Sequence, residues 1–194
     1  MMAHLPDLAL AAALAWGAGL RLYLVVFALG IASGLGWLSL PDHLSALAHP
    51  AVMAAAGFMT VIELFADKIP WVDSLWDSVQ TLIRIPAGAA MAAAVFGDSG
   101  AAMTLVAALL GGGLTAATHF SKAGARAAAN TSPEPFSNLA LSFGEDALVL
   151  GGGWLALTHP ALFLGLLALL TAAGLWLVWT LWHRARHWIF RRPR

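Results

Sequence analysis

Residues 61–86 read VIELFADKIPWVDSLWDSVQTLIRIP, a stretch in which four carboxylates, a lysine and an arginine interrupt an apolar chain. At 100° per residue, Asp73, Asp77, Gln80 and Arg84 fall within about 60° of one another on a helix. Glu63 and Asp67 lie one turn apart just before Pro70, and proline cannot continue a hydrogen-bonded helix. The stretch therefore predicts two consecutive helices, each with one charged face.

The rest of the chain has the composition of a membrane protein. Of its 194 residues, 60% are hydrophobic and only 10% are charged, whereas a soluble domain carries roughly a quarter charged residues. A helix that spans a bilayer needs about 20 mostly apolar residues, and such runs occur at 8–20, 22–41, 101–118 and 160–182. The chain contains no cysteine, which excludes disulfides and thiolate metal sites.

The pattern predicts an all-α transmembrane fold of about six membrane-spanning helices, with a kink at Pro86 in the third. The expected helices cover residues 8–37, 50–67, 71–97, 100–129, 136–158 and 161–183. WGAGL at 16–20 is similar to LGGGL at 110–114, which suggests two inverted three-helix repeats of the kind found in secondary transporters. We expect one helical membrane domain at 1–183 and a basic tail at 184–194.

The basic tail predicts the orientation. Residues 184–194 contain Arg184, Arg186, Arg191, Arg192 and Arg194, half of all Lys and Arg in the chain. The positive-inside rule places this segment in the cytoplasm, and six spans would place the N-terminus there too. The expected partners are the lipid bilayer, anionic headgroups at the tail and a second copy of the chain, but not nucleic acid.

Two later helices also carry a polar face. Ionisable side chains at membrane depth normally turn toward the bundle interior, pair with one another or line a wet cavity. We therefore expect the polar faces of four helices to meet in one central site, with Asp77 and Arg126 as one possible pair. Arg21 could serve there equally as a salt-bridge partner or a substrate ligand. The residues predicted to line a substrate or ion pathway are Glu63, Asp67, Lys68, Asp73, Asp77, Arg84, His119, Lys122, Arg126, Asn130, Asn138, Glu145 and Asp146.

Two long stretches resemble a known family. ELFADKIPWVDSLWDSVQTLIRIPAGA at 63–89 and HFSKAGARAAANTSPEPFSNLALSFGED at 119–146 are similar to the signature stretches of the bacterial membrane proteins catalogued as domain of unknown function 4126. The resemblance covers nearly the whole chain apart from the basic tail. It implies a multi-pass protein of the bacterial inner membrane whose charged motifs form one unit. It does not imply any biochemical activity.

Transport is the function that the residues favour. Opposing charges in a partly wet interior can exchange protons or ions, because burial and neighbouring charges set the occupancy of each site. The expected function is a transporter or channel for an ion or small charged solute, coupled to protons.

Two alternatives remain open. Asp73 and Asp77, one helical turn apart, could hold Mg²⁺ against a phosphorylated lipid, so that the protein would be an enzyme with Mg²⁺ as its only cofactor. The charges could also be structural ion pairs in a membrane scaffold or accessory protein. Transport requires no cofactor, and we expect transport rather than catalysis.

Overall fold

A computed structural model describes residues 4–67, 69–129 and 136–190, and this part of the chain is helical without strands. The long helices are α1 (Leu5–Gly34), α2 (Pro50–Ala66), α3 (Pro70–Val95), α4 (Ala101–Ala129), α5 (Phe136–Thr158) and α6 (Pro160–Phe190). Short 3-10 helices lie at Asp42–Ala48 and Gly97–Ser99. The all-α prediction is confirmed. Helix α6 extends past residue 183, so the first turns of the predicted tail are helical.

The helices have the length and composition of membrane spans. Leu5–Gly34, Leu75–Val95 and Ala101–Ala129 are each long and apolar enough to cross a bilayer, and Asp42–Ala48 with Pro50–Ala66 forms a pair bent by 63° that could make a fourth span. The first 17 residues of α6, Pro160–Trp176, form a shorter apolar segment. By length and composition, three helices, or four if the bent pair is one span, could therefore cross a membrane.

Helix α1 folds back on itself at Arg21. The backbone there is non-helical, with φ −146° and ψ 72°. A Cβ built on Gly17 would lie 2.7 Å from the Val25 side chain, although eight residues of straight helix would separate the two by about 12 Å. The two halves of α1, residues 5–20 and 22–34, therefore form a helical hairpin with Arg21 at its tip.

Contacts with other helices give the direction of each element. In the α3–α4 pair, Gly88 lies against Thr115 and Gly111 against Ala92, so these helices are antiparallel. The first half of α1 runs parallel to α4, since Thr115 Oγ1 donates a hydrogen bond to the Ala15 carbonyl and Gly19 lies against the same turn of α4.

Both ends of the α1 hairpin lie at one end of the bundle. His43, in the chain that follows the hairpin, lies 3.1 Å from Asp98 in the α3–α4 connection, and Gly97 lies against the same imidazole. The α3–α4 connection itself lies beside the beginning of α1, because Phe96 and Ala107 pack with Ala11. We call this the α3–α4 end. The opposite end, where α2 meets α3, is the α2–α3 end.

Two features predicted from the sequence are the kink at Pro86 and the inverted repeat. Helix α3 continues through Pro86 as one element, so the kink there stays a prediction, while the observed interruption of helical geometry lies at Arg21. The inverted repeat also stays a prediction. Helix α1 packs against all five other helices, whereas α4 packs mainly on α3 and α1, so the two halves are not equivalent in their packing.

Candidate functional site

Ten charged side chains from α1 to α5 meet at the tip of the α1 hairpin, and we call them the charge network. All except Asp146 are buried, and several are completely inaccessible. The apolar side chains of α3 point the other way, since Leu75, Val79 and Leu82 are exposed, as expected for a face turned to lipid. The members are Arg21, Glu63, Asp67, Asp73, Asp77, Arg84, Lys122, Arg126, Glu145 and Asp146.

Arg84 and Lys122 share two carboxylates. One guanidinium nitrogen of Arg84 donates to Glu63 Oε1, and the other lies 3.3 Å from Asp77 Oδ1. Lys122 Nζ lies 3.7 Å from the same Glu63 oxygen and 4.0 Å from the same Asp77 oxygen. Glu63 and Asp77 therefore each face both cations, and Lys122 also lies 3.3 Å from Glu145 Oε2.

Arg126 joins three carboxylates from three different helices or helix ends. Its guanidinium binds Glu145 through two nitrogens at 3.0 and 3.1 Å, and it binds Asp67 Oδ2 at 3.1 Å. Asp73 is farther away, with Oδ1 3.7 Å from Arg126 Nη1. Asp73 stands in the first turn of α3 and Arg126 in the last turn of α4, positions where the helix dipoles favour those charges.

Arg21 connects the hairpin tip to α2 and α5. It pairs with Asp67 directly after α2, and its Nε lies 2.9 Å from Asp146 Oδ1. Its Nη2 also donates to the hydroxyl and the carbonyl of Ser142, at 2.7 and 3.2 Å. Asp67 thus binds Arg21 and Arg126 together, so the hairpin tip and α4 are linked through one carboxylate.

Two backbone carbonyls at the break in α1 are part of the same site. Lys122 Nζ donates to the Leu20 carbonyl at 3.0 Å, and Arg84 Nη1 approaches the Gly19 carbonyl at 3.5 Å. Irregular backbone is tolerated at membrane depth only where it is buried in protein or lines a water-filled cavity. These cations therefore stabilise the hairpin tip as well as the carboxylates.

His119 lies beside Arg84 and contacts its guanidinium. Arg84 Nη1 lies 3.2 Å from His119 Nδ1, and His119 Nε2 lies 2.7 Å from the Thr81 hydroxyl. A guanidinium only donates hydrogen bonds, so Nδ1 must accept and the imidazole proton is on Nε2. Thr81 in turn donates to the Asp77 carbonyl at 2.9 Å, which fixes the orientation of the ring.

The network holds more carboxylates than cations. Counted over the described residues, six carboxylates, five of them buried, and four cations belong to it, so carboxylates are in excess. Several buried oxygens also have no hydrogen-bond partner among the described residues, namely Glu63 Oε2, Asp67 Oδ1 and both oxygens of Asp73. Unpaired buried acceptors are costly, and protons, water or cations are the groups that could satisfy them.

A cleft beside the charge network gives access to it. This cleft of about 290 Å³ between α3 and α4 is lined by Asp73, Asp77, Thr81, His119 and Arg126, and its rim residues Ser78 and Phe120 are exposed. A second cavity, apolar and of about 480 Å³, lies between the two halves of α1 and the end of α5, and no member of the charge network lines it.

Asp73 and Asp77, the predicted Mg²⁺ ligands, do not belong to a larger set of metal ligands among the described residues. Within residues 4–67, 69–129 and 136–190, no group of three or more His, Asp or Glu side chains has a geometry that could hold a metal ion. Asp77 is engaged with Arg84 and Lys122. The role of Asp73 and Asp77 as metal ligands stays a prediction of the enzyme alternative.

Most of the predicted pathway residues come together, although their role stays a prediction. Asn138 is buried on α5, on the face that carries Ser142 and Glu145. Lys68 and Asn130 lie outside the described residues. The suggested pairing of Asp77 with Arg126 is corrected. Both residues line the α3–α4 cleft, but each pairs with other side chains, Asp77 with Arg84 and Arg126 with Asp67.

Sequence reasoning left the role of Arg21 open and did not include two hydroxyls among the site residues, namely Ser142, which binds Arg21, and Thr81, which binds His119. A lone arginine inside a long apolar run was the signal for Arg21, because such a charge needs partners in the interior. Thr81 lies at the edge of the polar arc of α3, one residue from Gln80, and hydroxyls of this kind are too common in membrane helices to stand out.

A known protein family matches most of the chain. The family model described as domain of unknown function (DUF4126) matches residues 8–180, which include every described member of the charge network. No curated protein and no solved structure matches the chain. Because the match covers most of the sequence and both charged stretches, this membrane protein belongs to the DUF4126 family.

Proposed function

We propose that this protein is a transporter or channel for an ion or a small charged solute, and that its transport is coupled to protons. The observation that supports the proposal best is the excess of buried carboxylates at the break in α1, with oxygens that lack hydrogen-bond partners. In a purely structural cluster we expect each charge to be compensated, since an uncompensated buried charge is destabilising. A site that takes up and releases a positive charge needs spare acceptors.

The interrupted helix supports the same function. In many transporters the substrate site lies where a helix is broken near the middle of the membrane, because exposed backbone groups can then bind ions. Here the break presents the Gly19 and Leu20 carbonyls to Arg84 and Lys122. The α3–α4 cleft, lined by Asp73, Asp77 and Arg126, gives access to the charges beside this break.

The proposed location is the cytoplasmic membrane, which in bacteria is the inner membrane, with the C-terminal basic segment in the cytoplasm. The α1 hairpin enters and leaves at the α3–α4 end, and in the proposed orientation α2 to α6 each cross the membrane once. The N-terminus would therefore lie on the outer face, opposite the C-terminus. Six complete spans would instead return both termini to the cytoplasm.

Single-cysteine labelling distinguishes these two orientations, and the chain has no native cysteine to interfere. We expect a membrane-impermeant maleimide to label His4→Cys in intact cells and Arg194→Cys only after permeabilisation. If both positions react only after permeabilisation, the hairpin does not re-emerge on its entry face and the six-span orientation holds.

Ion flux in proteoliposomes tests the function itself. The unmodified protein is expected to move protons or small ions, and Asp77→Asn is expected to reduce the rate about tenfold or more, since ~1.4 kcal/mol of barrier is one factor of ten. Asp77 lines the cleft, while its two cation partners keep Glu63 as a counter-ion. The matched control is Asp98→Asn, an exposed carboxylate outside the network. Absence of flux across a broad panel of ions would favour the scaffold.

A further inference from the structure

Asp73 is the least compensated buried carboxylate of the charge network. It is 1% exposed, and neither of its oxygens has a hydrogen-bond partner among the described residues. Among the described residues, the one cation within 4 Å of it is Arg126, at 3.7 Å. Every other buried carboxylate of the network has a cation within 3.3 Å, so Asp73 is the member whose negative charge is stabilised least.

The surroundings of Asp73 contain charges of both signs. Asp67 from the end of α2 and Asp77 from α3 are negative, while Arg126 and Lys122 from α4 are positive. Arg126 is already shared by Asp67 and Glu145 at 3.0 to 3.1 Å. The nitrogen nearest Asp73 is Nη1, which donates to the Asp67 backbone carbonyl at 3.1 Å, so three carboxylates share one guanidinium.

Access to Asp73 is provided by the α3–α4 cleft. Asp73 lines this cleft together with Asp77, Thr81, His119 and Arg126. Since Asp73 lies in the first turn of α3 and Arg126 in the last turn of α4, the cleft opens near the α2–α3 end of the bundle, close to the membrane surface. Water at that surface can deliver a proton to the carboxylate and accept it again.

We propose that Asp73 is the proton-exchange site of the network: its carboxylate takes a proton from water in the α3–α4 cleft and returns it there. This inference rests on the proposed transport function and names the residue that couples it to protons. When Asp73 is neutral, Arg126 is held by Asp67 and Glu145 as observed. When Asp73 is charged, it competes for Arg126, and the effect reaches Arg21 at the hairpin tip through Asp67.

Infrared difference spectroscopy of the purified full-length protein tests proton binding without requiring transport. Spectra recorded across a pH titration are expected to show the carbonyl stretch of a carboxylic acid that is lost on deprotonation. The band should be absent in Asp73→Asn, which imitates the neutral acid, and retained in Asp98→Asn. In Asp73→Glu the band should be present at a different frequency, which keeps the assignment testable if the amide variant folds poorly.

The outcomes separate the inference from the proposed function. A titrating band that Asp73→Asn leaves unchanged, or that Asp73→Glu does not move, overturns the assignment to Asp73. Absence of any titrating acid band in the unmodified protein overturns it as well. A band that depends on Asp73 supports the proton site, and if the unmodified protein then shows no flux, it is the transport function that fails.

Discussion

Arg126→Met is expected to lower the free energy of unfolding by about 3 to 5 kcal/mol, because removing one partner of a buried ion pair leaves the other charge uncompensated. Arg126 has two close carboxylate partners, Asp67 and Glu145, and Asp73 lies just beyond them. After the replacement, Asp67 would retain Arg21 and Glu145 would retain Lys122. Asp73 would retain no cation within 4 Å among the described residues.

Equilibrium unfolding in lipid bicelles, followed by helical circular dichroism, measures this effect. Arg126→Lys keeps the charge but loses the guanidinium that reaches two carboxylates at once, so its loss should be smaller than that of methionine. Arg194→Met, which removes a cation from the C-terminal segment, should leave the unfolding curve unchanged. A change below about 1 kcal/mol for Arg126→Met, the size of an exposed pair, would mean that the network does not depend on this residue.

The Glu63–Arg84 pair provides the test that separates a structural ion pair from a transport pathway. Glu63→Leu or Arg84→Met alone should destabilise the bundle by about 3 to 5 kcal/mol, whereas the double replacement should recover most of that loss, since an apolar pair often substitutes for a buried ion pair. Lys122 and Asp77 still face each other at 4.0 Å in the double variant. We expect this stable double variant to lose ion flux completely.

Flux and stability must be measured on the same preparation for this comparison. If the double variant unfolds like the unmodified protein and still transports at the full rate, Glu63 and Arg84 are structural. If neither single change affects stability, the Glu63–Arg84 ion pair does not stabilise the bundle. Asp98→Asn, whose carboxylate is exposed beside His43, supplies the baseline for both measurements.

Local patterns of the sequence predicted the helices well. Pro50, Pro70 and Pro160 each begin a helix, as expected of a residue that has no amide hydrogen to donate and a fixed φ. The observed ends lie within a few residues of the predicted ones for α1 to α5. These features depend on residues a few positions apart, so a single sequence contains the necessary information.

The polar faces were predictable for the same reason. Residues spaced by three or four positions share one face of a helix, and a charged face in an apolar chain must turn to the interior. The sequence thus indicated that carboxylates and cations would meet. It could not assign the partners, because Asp77 and Arg126 lie on suitable faces, yet their side chains reach different neighbours.

Hydropathy, the prolines and the helical spacing of the charges were enough to predict an all-helical membrane protein with one charged interior. The turn of α1 at Arg21 depends instead on the folded bundle. Gly17 and Gly19 weaken the helix locally, but glycines of this kind are common in the chain and no proline is near. The break is stabilised by Arg84 and Lys122, which bind carbonyls 65 and 102 positions away in the chain, and such contacts exist only once the helices have packed.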